Sequence, residues 1–299
     1  MIKQVTLLVA ILLILTLIVA AADTTTTTSW KKSLVLDVTT TQAAYSDSWV
    51  GGEIGSLNWV ANMNGTAEKQ MAKWFNYRSI LKLSFGQTVT QDDSTKKWSK
   101  PKKSTDLIDW DNLGRLTLES YVDPYVAFHL ESQFSFQLSE EKTVYFSPMK
   151  LTESFGIARK FYSGPKTDAI ISRLGFAVRH IITKQLVTGS PTETKSVTTN
   201  DGGIESVTDV QLTLNEKLVY ISKLGLYKAF FFSEKSKFAG TPQANDWKTI
   251  DVNWENSVTA QLSKIIATKL YVQLLYDKQI SYRGRLKETL GIGFLFNLI

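Results

Sequence analysis

Two histidines, His129 and His180, are the only side chains in a 299-residue chain whose ordinary titration falls near neutral pH. His129 has Glu131 two positions on, with Ser132 and Ser135 close by. Acyl transfer needs those types: a hydroxyl nucleophile, an imidazole base and a carboxylate to orient the base. The spacing speaks against such a triad. On an extended strand His129, Glu131 and Ser135 share one face while Ser132 falls on the other, and no Gly-x-Ser-x-Gly elbow stands near them. A satisfied polar residue is the plainer reading of His129, no catalytic residue is assigned, and an enzyme is not expected. His180 lies near the end of an apolar strand face, which suits an interfacial position.

Metal chemistry has one oxygen-rich candidate, Asp106, Asp109 and Asp111, read as the end of a loop. It lacks the glycine and the distal glutamate of a calcium loop, so solvated carboxylates are expected and no metal site is assigned. Cysteine is absent, which removes disulfides and thiolate ligands. No Walker-type loop or dinucleotide fingerprint appears, and no cofactor is expected. Asp201-Gly202-Gly203 reads as a turn.

The net charge is +6, and five lysines fall within Lys96 to Lys103. Nucleic acid is an unsuitable partner for an exported chain, and the start of this one reads as an export signal. Residues 5–19 are almost continuously apolar behind Lys3, and Ala20-Ala21-Ala22 supplies small residues for cleavage after Ala22. The basic run is read as a solvated loop, with phosphates of outer-leaflet lipids as the sharper alternative.

Residues 1–22 are thus expected as a cleaved signal peptide, residues 23–32 as a flexible threonine-rich lead-in, and residues 33–299 as one β domain. Alternation of period two carries the last assignment. Leu57, Trp59, Ala61 and Met63 oppose Ser56, Asn58, Asn62 and Asn64. Val126, Phe128, Leu130, Phe134, Phe136 and Leu138 oppose His129, Glu131, Gln133, Ser135 and Gln137. The same pattern predicts strands over 33–41, 54–67, 77–89, 112–122, 125–138, 149–161, 170 onward, 207–214, 219–232, 249–262, 270–276 and 286–298. Connections after the third, seventh and ninth are long and polar (91–109, 188–206 and 233–247), whereas most others are short.

About twelve strands of this length, long loops on one side and aromatic residues near strand ends predict an all-β, transmembrane, antiparallel up-and-down barrel of the outer-membrane type. Parity then places Arg78, Lys82, Arg115, Glu119, His129, Glu131, Arg173, Arg179, Asp251 and Glu255 inside the lumen. Mixed charges there either line a water-filled pore or pair and fill it.

Two resemblances add to this. Thr289, Gly291, Phe294 and Phe296 fit a spacing that resembles the insertion signal in the last strand of outer-membrane proteins, although Asn297-Leu298-Ile299 follow where the common form ends on the aromatic residue. Trp49-Val50-Gly51-Gly52-Glu53, the Leu57-Asn58-Trp59 strand, Trp74 with Asn76, residues 81–86 and Lys103-Ser104-Thr105-Asp106 resemble the domain of unknown function 3078 family, uncharacterised barrel proteins of Bacteroidota-type bacteria. The motif residues Trp49, Gly51, Gly52 and Glu53 lead it, and the likeness loosens beyond Ser139. The resemblance implies a barrel in the Gram-negative outer membrane and no established activity.

The functional expectation is a narrow passive channel for small polar solutes, with a non-conducting structural or interaction barrel as the alternative. The expected partners are outer-membrane lipids, the barrel-assembly machinery during insertion and, for a channel, small polar solutes.

Overall fold

The computed structural model describes residues 29–45, 54–92, 94–165 and 168–298. The expected signal peptide, residues 23–28 of the lead-in and the motif residues Trp49, Gly51, Gly52 and Glu53 lie outside the described residues.

Strands dominate the chain: β1 (Lys31–Ala43), β2 (Ser56–Ala72), β3 (Phe75–Thr90), β4 (Lys102–Leu116), β5 (Asp123–Ser132), β6 (Ser135–Gln137), β7 (Thr143–Tyr145), β8 (Met149–Ser163), β9 (Ala169–Leu186), β10 (Thr194–Asn215), β11 (Leu218–Phe232), β12 (Asp251–Gln261), β13 (Ile266–Tyr276) and β14 (Arg285–Asn297). Among the described residues, twelve of these form one closed antiparallel barrel in chain order, sealed by β1 against β14, while β6 and β7 make a separate hairpin. The barrel expected from alternation is present, with the expected strand number.

Alternation works here because each strand has one wet and one apolar face, and the wet face points inward. Arg173 on β9 is 3% exposed, whereas its neighbour Leu174 is 48% exposed and Phe176 is 56% exposed. Val126, Phe155, Leu270, Leu290, Ile292 and Phe294 likewise project outward into the open. A barrel with its polar groups sequestered and its leucines displayed has the polarity of a protein whose outer wall meets hydrocarbon. No helix among the described residues is long and apolar enough to cross a membrane.

The barrel has two unlike rims. At the near rim, where β1 begins and β14 ends, the links are 73–74, 117–122, 164–168, 216–217 and 262–265. At the far rim they are 44–55, 91–101, 133–148, 187–193, 233–250 and 277–284.

Several expected boundaries are corrected. The fourth strand begins at Lys102 rather than Asn112, so Lys102, Lys103 and all three aspartates of the supposed loop belong to β4. It ends at Leu116, which leaves Glu119 exposed in the turn after it. That turn is closed by the Thr117 amide donating to the Trp74 carbonyl at 2.8 Å. The fifth strand leaves the wall at Ser132 instead of running to Leu138. Asp106 draws the chain aside there, its carboxylate accepting the amides of Phe134 at 2.6 Å and Ser135 at 3.1 Å. A long connection carrying the β6–β7 hairpin therefore stands where alternation had predicted more wall.

The eighth barrel strand, β10, starts at Thr194 and runs straight through Asp201-Gly202-Gly203, which was read as a turn. The ladder to β11 shifts register at Gly202/Gly203, and a Cβ on Gly203 would stand 1.9 Å from the Lys228 carbonyl oxygen. These glycines serve close strand approach rather than reversal.

Candidate functional site

The lumen holds the chain's concentration of chemistry. Pleating sends alternate residues of every wall strand inward, and the inward residues of opposite strands meet. Arg173 of β9 donates to both carboxylate oxygens of Asp111 on β4, at 2.9 and 2.7 Å. Lys223 of β11 reaches the same aspartate at 3.0 Å and Asp109 at 3.7 Å. His129 of β5 contacts Asp109 through Nε2 at 3.0 Å. Between β4 and β11 stand β5, β8, β9 and β10 on one side, and a longer arc on the other, so this contact crosses the bore.

Two further ties cross it. Lys82 of β3 meets Glu255 of β12 at 3.1 Å, and Lys160 of β8 meets Glu68 of β2 at 2.9 Å. Between neighbouring and near-neighbouring strands, Arg179 holds Asp201 at 2.7 Å and Asp251 at 2.8 Å under the Tyr227 ring, and Lys269 holds Asp37 at 2.9 Å. Arg115 meets Asp123 at 3.2 Å near the near rim. Asp109, Asp111 and Arg173 are each under 5% exposed, so these are paired charges withdrawn from water.

Of the residues placed inside by parity, Arg78, Lys82, Arg115, His129, Glu131, Arg173, Arg179, Asp251 and Glu255 lie on inward faces. Glu119 does not, because its strand has already ended. Arg78 is buried beside its cross-strand neighbour Glu68, and its Nε and Nη1 find no hydrogen-bond acceptor among the described residues. A cavity of about 40 Å³ is lined by Arg78, Lys82, Lys223, Asp209, Asn64 and Thr66. That is room for a few water molecules.

Sequence reading missed Asp109 and Asp111 as lumen groups, together with Asp201, Glu68, Lys160 and Lys223. Parity was a sufficient signal for the aspartates: Asp109 and Asp111 pair in register with Lys82 and Ile80 of β3. Reading Asp106, Asp109 and Asp111 as the end of a loop and starting the strand at Asn112 removed them from the count. The acyl-transfer constellation is not assembled. The Ser132 hydroxyl donates to the Pro148 carbonyl at 3.0 Å, the Ser135 amide to Asp106, and the His129 ring meets Asp109. His180 points outward and meets Asn200 at 2.7 Å. In the last strand, Thr289 and Gly291 face inward, and Phe294 and Phe296 face outward.

The far-rim loops are tied to one another. Asp246 accepts from Lys278 at 3.0 Å and from Tyr282 at 2.9 Å, joining loops 233–250 and 277–284. Both donors are held above their ordinary pKa by that hydrogen bond to the Asp246 carboxylate. Trp247 packs on Phe232 at a centroid distance of 6.2 Å. The Ser139 hydroxyl donates to the Pro191 carbonyl at 2.9 Å, linking loop 133–148 to loop 187–193.

Solved structures with a similar outline include the translocator domain of the autotransporter NalP from Neisseria meningitidis, at 10% identity and TM-score 0.33 over 92% of this chain and 90% of that one. An outer-membrane channel from Pseudomonas putida F1 is similar at 10% identity and TM-score 0.42, over 89% of this chain and 94% of that one. The β-domain of the Bordetella autotransporter BrkA gives 10% identity and TM-score 0.30, over 89% of this chain and 98% of that one. The barrel assignment itself rests on the strand ladders. No curated protein matches the chain in sequence. The stretch richest in motif residues does match a family: residues 40–136 fit the sequence model described as Protein of unknown function (DUF3078), the family whose resemblance the first third of the chain carries.

Proposed function

We propose that this protein is an integral β-barrel of the Gram-negative outer membrane whose lumen is shut by paired charges, and which acts as a non-conducting structural or interaction barrel through its far-rim loops. One observation carries the reading: Lys223 reaches Asp111 from across the bore at 3.0 Å, and Arg173, three strands round the wall, binds the same carboxylate at 2.7 Å. Side chains that meet in the middle leave no straight water path between those walls, and separating them would strand buried charge. The loop ties at Asp246 and Ser139 support a defined outer surface for an envelope partner. The outward display of leucine and phenylalanine supports outer-membrane lipids as its surroundings, reached with the barrel-assembly machinery.

A second reading, the narrow channel for small polar solutes, is favoured by the cavity that Arg78, Lys82 and Lys223 line in part. Planar-bilayer recording separates the two. The closed-lumen reading expects no unitary current from the purified protein, and a channel expects resolved steps. Deleting residues 95–100, which lie wholly within the far-rim loop before β4, tests the interaction role, with loss of a co-purifying envelope protein and retained heat-modifiable gel mobility as the expected result.

A further inference from the structure

The wall is sealed along β1 and β14 over only part of its height. The two strands pair from Val35↔Asn297 to Thr40↔Ile292. Beyond that point β1 stays with β2 as far as Ala43↔Ser56, and β14 stays with β13 as far as Leu275↔Arg285. Among the described residues, 41–43 of β1 and 285–291 of β14 therefore have a ladder partner on one edge only. Among the described residues the strands part toward the far rim and leave a wedge between them. Unpaired backbone groups are poorly tolerated against hydrocarbon, so such an edge calls for something that accepts and donates hydrogen bonds.

The lip formed by β14 has two chemistries. Arg285, Lys287 and Thr289 face inward, while Leu286 and Leu290 face outward at 68% and 63% exposure, with Glu288 between them. The Lys287 ammonium donates to the Thr105 hydroxyl at 3.0 Å and lies 6.0 Å from the Tyr271 ring centre. Neither Lys287 nor Arg285 has a carboxylate within ion-pair distance among the described residues. Most deeper lumen cations differ, Arg78 being an exception: Lys82, Lys160, Arg173, Arg179, Lys223 and Lys269 each hold one.

We propose that the β1–β14 wedge is a lateral portal that seats an anionic amphiphile. Its phosphate or carboxylate head lies inside the far end against Arg285 and Lys287. Its acyl chain leaves between the strands along Leu286 and Leu290. The head supplies a counter-charge for the two cations and acceptors for the β14 edge, neither of which the described residues provide, and the chain covers leucines already turned toward hydrocarbon. The proposal rests on the membrane reading above, and the test keeps the two apart.

The natural chain has no cysteine, so single-cysteine variants can each carry one fluorophore. Three positions are compared in vesicles containing lipids with brominated, quenching acyl chains: Phe176→Cys on the outer wall, Thr88→Cys inside the far end, and Thr289→Cys at the lip. Phe176→Cys is expected to be strongly quenched and Thr88→Cys weakly. Thr289→Cys should approach the outer-wall value, and rise at least about twofold when the brominated lipid is phosphatidylglycerol rather than phosphatidylcholine, because two nearby cations enrich an anionic head. Brominated fatty acid in a separate arm tells a carboxylate head from a phosphate head, and preference for either supports the portal. The Arg285→Gln, Lys287→Gln double variant should erase the preference while leaving Phe176→Cys quenched. An unquenched Phe176→Cys overturns the membrane reading. A quenched Phe176→Cys with Thr289→Cys behaving like Thr88→Cys overturns the portal alone. Disulfide trapping gives a second readout: Val38→Cys with Phe294→Cys should cross-link, and efficient cross-linking of Gln42→Cys with Leu290→Cys would mean closed lips and reject the proposal.

Discussion

Lys223 of β11 and Asp111 of β4 stand 3.0 Å apart across the lumen, with Arg173 bound to the same carboxylate. Removing that carboxylate leaves two buried cations facing each other. Asp111→Ala should therefore cost about 3–5 kcal/mol, the usual range when one member of a buried ion pair is deleted. Urea titration of the reconstituted barrel, read by gel mobility, measures it. A loss below about 1 kcal/mol, the range of an exposed pair, would mean that water reaches the cluster freely.

The polarity of the wall gives a prediction of opposite kind. Phe176→Arg places a cation on the outward face between Phe155 and Ile204, its neighbours across the two ladders, and in a membrane it should cost about 2–4 kcal/mol if the site lies near the midplane. The same titration checks it. If Phe176→Arg is as stable as the parent, the wall does not meet hydrocarbon.

Closure of the barrel depends on close backbone approach at Gly293. A Cβ there would lie 2.0 Å from the Val38 carbonyl oxygen, whereas one at Gly291 would meet the Thr39 side chain at 3.1 Å. Gly293→Ala must push β1 and β14 apart and should lower stability by about 1–3 kcal/mol, while Gly291→Ala needs only a small side-chain adjustment. Equal stability of the two variants would contradict the register of this seam.

The loop contact at Asp246 carries a pH dependence whose sign follows from its donors. Lys278 and Tyr282 both have raised pKa values in the folded protein, because each donates to the Asp246 carboxylate. The stability they lend is therefore present below their unfolded pKa values, about 10 for either type, and is lost as pH rises through the folded ones. Proteolysis within residues 233–250 should stay slow from neutral pH to about pH 10 and accelerate above it. Asp246→Ala should be cut rapidly at neutral pH, and a variant as resistant as the parent would show that other contacts hold the loops.

Much of this barrel is written in its alternation. Arg78, Lys82, Arg173 and Arg179 could be set inside from parity because Tyr77, Leu81 and Leu83 on one strand and Leu174, Phe176 and Val178 on the other take the opposite face without interruption. Asp109 and Asp111 escaped for the opposite reason: Lys102, Lys103, Ser104 and Asp106 crowd the start of β4 with polar residues on both faces, so the period vanishes where the strand begins. Phe134, Phe136 and Leu138 misled in the other direction. Their alternation continues that of β5, but the Asp106 carboxylate captures the amides of Phe134 and Ser135 and turns the chain away. A contact between residues so distant in sequence leaves no local trace. The same holds for the Lys223 to Asp111 tie, since parity states which way a side chain points and not which opposite wall it meets.

The central claim is that paired charges close the lumen, and single-channel recording in planar bilayers tests it most directly. A closed lumen leaves the parent protein silent and gives resolved conductance steps in a variant combining Asp111→Ala, Arg173→Ala and Lys223→Ala, in which all three meeting side chains are shortened. Stable open steps from the unmodified protein would contradict it.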